Sequence, residues 1–277
     1  MRENLFGKYI RTGDPEKRKR AEAWLTGIGL QEVDGLEVSL FLIDLAKKNI
    51  EGEISFDEAE RLLRVHYEEK PRRDRRRKKE ADLVSSRIAD LLLDSSFDFS
   101  TDEYISIHRR LFEGIYPHAG CFREYSISKR EWILRGASVV YGNASILDAS
   151  VEYDLSVERP TRYGGLSMEE TIHHLAVFIS RLWQIHPFAE GNTRTTAVFL
   201  MKYLRFLGFE PVKNTFAGNS WYFRNALVRA NYNNLPGRIY ATTEYLEMFL
   251  ENMLLGEEHE LLSINMRIDE SVGYSKA

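Results

Sequence analysis

Residues 167–208 read SMEETIHHLAVFISRLWQIHPFAEGNTRTTAVFLMKYLRFLG and place a polar cluster between two apolar helical patterns. Ser167 and Glu170 have the spacing of a capping box, which predicts the start of the first helix. The apolar face of this helix repeats at helical spacing through Ile172, Leu175, Ala176, Ile179, Leu182 and Trp183. The second pattern repeats through Val198, Met201, Leu204 and Leu207. Because Pro187 cannot continue a helix, the sequence predicts a helix, a turn over the polar cluster and a second helix.

Most of the remaining chain also carries helical patterns. Capping-box spacings recur at Ser55–Glu58 and Ser100–Glu103, and a last apolar helix is predicted from Tyr245 to Gly256. The exception is residues 123–142, REYSISKREWILRGASVVYG, which are rich in β-branched and aromatic residues around a central Arg-Gly. This composition predicts a β-hairpin. The predicted fold class is therefore all-α with one β-hairpin.

Composition limits the class of protein. The chain has 277 residues, 43% of them hydrophobic, which is enough for a sizeable core. Its formal net charge of -4 argues against general nucleic-acid binding, and the single cysteine, Cys121, fits a reducing compartment. No apolar run approaches the roughly 20 residues of a membrane span, and the N-terminus lacks the apolar segment of a secretory signal. We therefore expect a soluble cytoplasmic protein without a membrane partner.

A basic run, PRRDRRRKKE at residues 71–80, divides the chain. It predicts a small N-terminal helical unit over residues 1–70, a core domain over 81–256 and a polar tail over 257–277. The run itself is interpreted as a solvated linker or the start of a helix. Docking onto an acidic partner or nucleic acid is the alternative.

The cluster HPFAEGNTRT, residues 186–195, has the side chains of a phosphate-binding turn. Gly191 permits an unusual backbone angle, and the helix that starts at Asn192 presents free N–H groups to an anion. Asn192 is suited to donate to a phosphate oxygen, and Arg194 is suited to hold one with two hydrogen bonds. Glu190 would hold Mg²⁺ through oxygen, and His186 would take a proton. The pattern predicts a nucleotide phosphate site that faces a base.

A zinc-hydrolase metal pair is the competing interpretation of His186 and Glu190. That geometry needs a continuous helix, which Pro187 and Gly191 argue against. No third ligand has a suggestive spacing. The phosphate site is therefore favoured.

These residues resemble the signature of Fic-domain proteins, H-P-F-x-(D/E)-G-N-x-R-x-x-R, and the resemblance covers roughly residues 80–255. The family has a helical core with a β-hairpin flap over the active site. The resemblance implies a nucleotidyltransferase, most often a protein adenylyltransferase that moves AMP from Mg²⁺-ATP to a hydroxyl group. The expected partner is thus a protein with a Ser, Thr or Tyr hydroxyl, and the expected cofactors are ATP, as nucleotide donor, and Mg²⁺.

The resemblance also assigns roles at the motif. His186 matches the base that deprotonates the target hydroxyl, Phe188 the aromatic that anchors the turn, and Glu190 the magnesium carboxylate. The nucleotide-binding positions are Gly191, Asn192, Thr193 and Arg194, and Arg194 is also counted with His186 as catalytic. The variant of the family that transfers a whole phosphate has alanine and lysine where Gly191 and Thr193 stand, so nucleotidyl transfer is favoured.

The flap implied by the resemblance is the predicted hairpin at about residues 129–141. It would pair in β fashion with an extended segment of the target. Its target-binding candidates are Lys129, Trp132, Ser138 and Val139. For Trp132, covering the site is an equally weighted alternative to contacting the target. In residues 219–234, Asn231 and Tyr232 are candidates for the adenine pocket, against the alternative that this segment is a core helix.

Two departures from the family pattern concern activity and control. The second motif arginine would fall at position 197, which is Ala197. The stretch VDGLEVS, residues 33–39, resembles the antitoxin-like module of many Fic proteins, whose glutamate pairs with that second arginine and blocks productive ATP binding. Here Asp34-Gly35 is a degenerate remnant, and the arginine is missing. Residues 1–70 are thus predicted either to serve for packing or to inhibit through another contact.

Three functions remain open at the level of sequence. Protein adenylyl transfer is favoured by the intact His186, Glu190, Asn192 and Arg194. Transfer of another nucleotide or phosphate-containing group from the same site is the first alternative. A catalytically weak, nucleotide-binding regulator is the second, because Ala197 removes part of the expected grip on ATP. The sequence leaves open the target, the nucleotide preference and the oligomeric state. A homo-oligomer is one of the oligomeric states that fit it.

Overall fold

The computed structural model describes residues 5–11, 13–68, 75–212 and 214–268. Within these residues the chain is mainly helical, as predicted. None of the helices described is both long enough and apolar enough to cross a membrane. The α-helices, numbered in chain order, are α1 (Gly7–Arg11), α2 (Pro15–Gly29), α3 (Leu40–Glu51), α4 (Phe56–Glu68), α5 (Arg75–Leu93), α6 (Thr101–Phe112), α7 (Leu147–Glu158), α8 (Met168–Ile185), α9 (Asn192–Phe206), α10 (Phe216–Ala230) and α11 (Glu244–Leu254).

The serines predicted to cap helices do so. At α8 the capping box is complete, because Glu170 N donates to Ser167 Oγ at 3.1 Å and Ser167 N donates to Glu170 Oε2 at 2.8 Å. Ser100 accepts from the backbone at the start of α6 at 3.2 Å, and Ser55 does the same before α4 at 3.1 Å. The polar signals at these helix starts are local, which is why the sequence alone locates them.

The N-terminal helices share one hydrophobic core with the rest of the described chain. Helix α2 packs most extensively on α5 and also contacts α10. A Cβ atom at Gly27 would lie 2.4 Å from Ser85 O, and one at Gly29 would lie 2.4 Å from Phe216 O. Glycine is therefore required where the α2 backbone meets its neighbours. The division into units at 1–70 and 81–256 stays a prediction, but the two parts are in direct backbone contact.

The basic run and the tail are each described in part. Residues 75–80 form the first turns of α5, whereas residues 71–74 lie outside the described residues. In the tail, Met266 is buried and Ile268 N donates to Ile133 O at 2.9 Å. Residues 269–277 lie outside the described chain. The tail thus packs on the core as far as the structure describes it.

The predicted β-hairpin is not confirmed, because no strand is assigned to residues 123–142, all of which are described. The segment reverses through a short 3₁₀ helix, Trp132–Leu134, and two left-handed residues, Arg135 and Gly136. Glu131 N donates to Ala137 O at 3.0 Å, but no further ladder of backbone hydrogen bonds follows. Ile133, Leu134, Val139 and Tyr141 pack into the protein, and the segment is an irregular loop.

Candidate active site

The turn between α8 and α9 is anchored by Phe188. Its ring is fully buried and stacks on His108 of α6, with ring centroids 3.7 Å apart and planes inclined by 6°. Tyr104 and Phe122 pack against it at 5.6 and 5.3 Å. This is the anchoring role expected for an aromatic at this position.

His108 also holds the turn by hydrogen bonds, a role that the sequence did not reveal. Gly120 N donates to His108 Nδ1 at 2.8 Å, so the proton is on Nε2, which donates to Glu190 O at 3.1 Å. Burial lowers the pKa of His108 to about 3, and the charges of His118 and Arg194 add to the effect. A neutral histidine therefore connects the motif turn to α6.

Acidification is expected to destabilise the fold through His108. In the unfolded chain its pKa is 6.5, whereas in the folded chain it is about 3. Between these values the unfolded state binds the extra proton, so the free energy of unfolding falls as the pH falls. From about pH 7.5 to 5.5 the loss from this group is about 1.4 kcal/mol. Urea unfolding at both pH values should show a correspondingly smaller pH effect in His108→Gln; an identical effect would contradict the assignment.

The side chain of Asn192 closes the turn on itself. It accepts from Phe188 N at 2.9 Å and donates through Nδ2 to Phe188 O at 2.7 Å. It is 2% exposed. These hydrogen bonds fix the backbone of the turn, because the buried Phe188 amide groups need partners. Donation by Asn192 to a phosphate oxygen stays a prediction. No side chain caps the start of α9, so its first N–H groups remain available for an anion.

Gly191 is required at the start of α9. Its φ is +76°, and a Cβ atom there would lie 2.4 Å from Cε2 of Phe112. Gly191→Ala is expected to lower the free energy of unfolding by about 2–4 kcal/mol, through overpacking and left-handed backbone strain. Gly136→Ala is the matched control, since Gly136 has a φ of +88° but no atom within 4 Å. For the control, urea unfolding should show a loss of about 1 kcal/mol in the free energy of unfolding. Equal losses in the two variants would exclude the steric contribution.

His186 ends α8 in a left-handed conformation, with φ 50° and ψ 55°. The residue is 2% exposed, and neither ring nitrogen has a hydrogen-bond partner among the described residues. The ring lies against Tyr141, with centroids 4.3 Å apart. Burial lowers the pKa of His186 well below 6.5, and the charge of Lys129 lowers it further. The imidazole is thus neutral and free to accept a proton.

Arg123 fixes the backbone around His186. Its Nε donates to His186 O at 2.8 Å, and its backbone N donates to Pro187 O at 2.8 Å. Its two terminal nitrogens donate to Tyr125 O and Gly142 O, each at 2.6 Å. The guanidinium of Arg123 thus connects both ends of the loop 125–142 to the backbone of His186, the candidate base.

His186 opens onto a cavity of about 370 Å³. Other cavities, of about 560 and 640 Å³, include no residue of the motif turn. The cavity at His186 is lined by Val33, Asp34, Gly35, Lys129, Trp183, His186, Gly191, Asn192, Thr193, Trp221 and Arg224. It therefore combines a buried imidazole with the start of α9. The structure brings together the predicted residues His186, Gly191, Asn192, Thr193, Lys129, Asp34 and Gly35.

Trp221 and Arg224 of α10 are cavity residues that the sequence did not single out. Their spacing of three places them on one face of the helix, which is the signal that could have identified them. The Arg224 guanidinium lies 5.1 Å from the centre of the Trp221 ring. Its terminal nitrogens donate to the two carboxylate oxygens of Glu131 at 2.8 and 3.0 Å. Arg224 therefore connects α10 to the loop 125–142 beside the cavity.

Arg194 does not line this cavity. Its side chain is 1% exposed. Its Nη1 donates to Gln31 at 3.1 Å, and its Nη2 donates to Glu80 at 2.8 Å and to Tyr116 at 3.1 Å. Its Nε lies 2.9 Å from Asp34 Oδ2 in an ion pair. Burial alone would lower the pKa of Arg194, but the carboxylates of Asp34 and Glu80 outweigh it and raise the pKa. The predicted phosphate arginine is thus held by two carboxylates.

Asp34 stands between Arg194 and the cavity. It ends the 3₁₀ helix Leu30–Asp34, and Gly35 follows in the left-handed region. Arg77 of α5 donates to Gly35 O at 2.8 Å and to Asp34 O at 3.3 Å, so part of the basic run holds this turn. Asp34 therefore contacts the first motif arginine, whereas the family pattern predicts contact with the second. Packing and inhibition through another contact both stay predictions for residues 1–70.

Glu190 is the predicted magnesium ligand. Its side chain is exposed and is not among the residues lining the cavity. The described residues include no group of three or more His, Cys, Asp or Glu side chains that could hold a metal. Mg²⁺ is commonly bound by one or two carboxylates together with substrate phosphates. A single exposed carboxylate next to the start of α9 is compatible with a site of that kind.

Five further predicted residues are not among those that line the cavity. Asn231 donates to Ser180 O at 2.9 Å, and neither it nor Tyr232 lines the cavity, so the structure does not bring them to His186. Val139 is 3% exposed, which leaves it packed in the core, while Trp132 is 39% exposed and also lies outside the cavity lining. Ser138 accepts from Lys129 N at 3.1 Å and thereby supports a cavity residue.

Comparison with known proteins finds similarity over the part of the chain that contains the motif turn. Residues 98–204 match the model of the Fic/DOC family. A protein of Sinorhizobium fredii (strain NBRC 101917 / NGR234), described as probable protein adenylyltransferase y4lH, is 28% identical over 135 residues. The aligned part is 46% of this chain and 63% of that protein, so the chain spans less than two thirds of this relative. The family match contains α6, α7, α8 and the motif turn. Residues 98–204 of this chain are thus similar to the Fic/DOC family.

Proposed function

We propose that this protein is a nucleotidyltransferase that moves AMP from ATP to a hydroxyl side chain of a target protein. The observation that carries the proposal is the environment of His186. Its imidazole is buried and neutral, has no described hydrogen-bond partner, and faces a cavity that ends on the start of α9. The family match over residues 98–204 and the description of the Sinorhizobium fredii relative support the same class of reaction.

In the proposed reaction His186 takes the proton of the target hydroxyl. The hydroxyl oxygen then forms a bond to the α-phosphorus of ATP, and the bond from that phosphorus to the bridging oxygen of the β-phosphate breaks. Pyrophosphate leaves with the bonding electron pair. The N–H groups at the start of α9, together with the helix dipole, stabilise the negative charge on the phosphate oxygens. Arg123 holds His186 O at 2.8 Å and so maintains the direction of the base.

Glu190 is the residue that would hold Mg²⁺. When bound, the ion would neutralise charge on the nucleotide phosphates. The carboxylate is exposed and adjacent to Gly191. This position agrees with a Mg²⁺ ion whose further ligands come from the nucleotide phosphates.

Label transfer tests the proposed reaction. The protein is incubated with host lysate and with ATP labelled either at the α- or at the γ-phosphate. We expect protein-bound label from α-labelled ATP alone, because the AMP group retains the α-phosphorus. Label from γ-labelled ATP alone would instead indicate phosphorylation and contradict the proposal. Mass spectrometry of the labelled proteins then identifies the modified side chain.

A nucleotide-binding regulator with little activity is the second candidate. One observation favours it: Arg194 is held by Asp34 and Glu80, and position 197 has no arginine. In that case ATP would bind without His186-dependent transfer to any protein. Calorimetry with ATP together with the label experiment separates the two candidates.

A further inference from the structure

The motif of this chain provides no free cation to its own cavity. Ala197 stands where the family motif has its second arginine, and it is 0% exposed. Arg194 is directed to Glu80 and Asp34, at 2.8 and 2.9 Å. A triphosphate in the cavity at His186 would therefore need positive charge from a residue outside the motif.

Two other cations line this cavity, and they differ in their partners. Arg224 is neutralised by Glu131, which contacts it with both carboxylate oxygens and is 1% exposed. Lys129 is half-buried, and its ammonium group has no hydrogen bond or ion pair with any described residue. A partly desolvated cation without a counter-charge is unfavourable, and a bound anion would relieve that cost.

The position of Lys129 is fixed by the loop that carries it. Lys129 N donates to Ser138 Oγ at 3.1 Å, and Ser138 Oγ donates to Val139 O at 2.8 Å. Val139 is buried in the core. The ammonium group is also close enough to His186 that, after burial, its charge is the largest cause of the low pKa of that histidine. Lys129 therefore stands beside both the candidate base and the start of α9.

We propose that Lys129 holds a phosphate group of the nucleotide in the cavity at His186, and supplies the positive charge that the family motif has at position 197. This inference rests on the proposed function, because it assumes a nucleotide substrate. Lysine binds phosphate as a point charge. Among the cations of the cavity, Lys129 alone lacks a described carboxylate, and it faces the anion-binding end of α9. The alternative, that Lys129 binds an acidic side chain of the target, is an outcome of the test.

Calorimetry of the full chain with tripolyphosphate, ATP and adenosine, all without magnesium, tests the proposal. One charge-assisted hydrogen bond is worth about 1.5–3 kcal/mol, so Lys129→Met should weaken tripolyphosphate and ATP binding by about 10- to 100-fold. Adenosine should bind as it does to the wild type. Lys129→Arg should restore phosphate binding to within about 3-fold. Arg130→Met is the matched control, since Arg130 is exposed, adjacent and outside the cavity lining.

Several results would overturn the inference. They are unchanged tripolyphosphate affinity in Lys129→Met, an equal loss in Arg130→Met, an equal loss of adenosine binding, or no tripolyphosphate binding to the wild type. Unchanged ATP and tripolyphosphate affinities with lost label transfer would indicate the target-binding alternative. The proposed function is judged separately by label transfer from the wild-type protein. Normal label transfer by the wild type, together with unchanged phosphate binding in Lys129→Met, refutes the inference alone. Lys129-dependent phosphate binding without label transfer by the wild type refutes the proposed transferase alone.

Discussion

His186→Ala is expected to lower the rate of AMP transfer by about 10²–10⁴-fold, the usual contribution of a positioned general base. ATP affinity should change by less than about 3-fold, because the imidazole is proposed to contact the target hydroxyl and not the nucleotide. The rate of label transfer and the calorimetric Kd measure these two quantities. The matched control is His173→Ala, on the same helix, whose side chain pairs with Glu247 at 2.7 Å outside the cavity. A variant that binds ATP normally and transfers AMP at the wild-type rate would exclude His186 as the base.

The pH profile of the same reaction carries independent information. Burial, and then the charges of Lys129, Arg224 and Arg123, lower the pKa of His186 well below 6.5. The neutral, proton-accepting form therefore persists below the pH at which an exposed histidine becomes charged. We expect kcat/KM to stay level as the pH falls from about 8 to 6.5, and to decline only at lower pH. A decline centred at 6.5 would mean that the functional base is solvated.

Asp34→Ala is expected to increase ATP affinity by about 10-fold, within the usual range for coupling between two sites. Asp34 lines the cavity and contacts Arg194 Nε at 2.9 Å. Removing it eliminates a carboxylate that repels phosphate and opens one side of the Arg194 guanidinium to the cavity. Glu80 remains on the other side at 2.8 Å, so the arginine stays positioned. Calorimetry measures the ATP affinity of the variant, and label transfer measures its rate of AMP transfer.

Glu37→Ala is the matched control for Asp34→Ala. It makes the same charge change in the same part of the chain, but Glu37 is exposed and pairs only loosely with Lys78 at 3.8 Å. Asp34→Asn should give a smaller gain, since it removes the charge and keeps the volume. Unchanged or weaker ATP binding in Asp34→Ala would mean that the contact serves stability alone, as the packing hypothesis states.

Deleting residues 1–70 is a poorer test of the same question. Trp24, Ile28 and Leu30 are buried in the shared core, at 0, 3 and 0% exposure. The α2 backbone touches α5 and α10 at Gly27 and Gly29. Deletion would expose this surface and destabilise the whole domain, so altered binding could not be assigned to Asp34. The point variant leaves the packing intact.

The helices and the motif turn follow from the sequence because their signals are local. Apolar spacing and the Ser167 cap predict α8, and Pro187 and Gly191 predict the break before α9. Residues 123–142 have a β-type composition, but no strand is assigned to them and the predicted hairpin is not confirmed. The buried side chains of this segment, Ile133, Leu134 and Val139, pack on the core, and a 3₁₀ turn replaces the strand ladder. Composition indicates what a segment can bury and does not fix its backbone partners.

The sequence by itself determined a helical protein with a polar, His-containing turn between two helices, and it located His186 and Gly191 in that turn. The tertiary structure decided which of the charged residues face the cavity. Arg194 bonds to Glu80 and Gln31, which lie 114 and 163 residues away along the chain, and so it is turned from the cavity. Lys129 and Arg224 reach the cavity from a loop and from α10. The physical reason is that helix starts and turns are set by neighbouring residues, whereas the partners of a buried charge are set by distant segments that folding brings together.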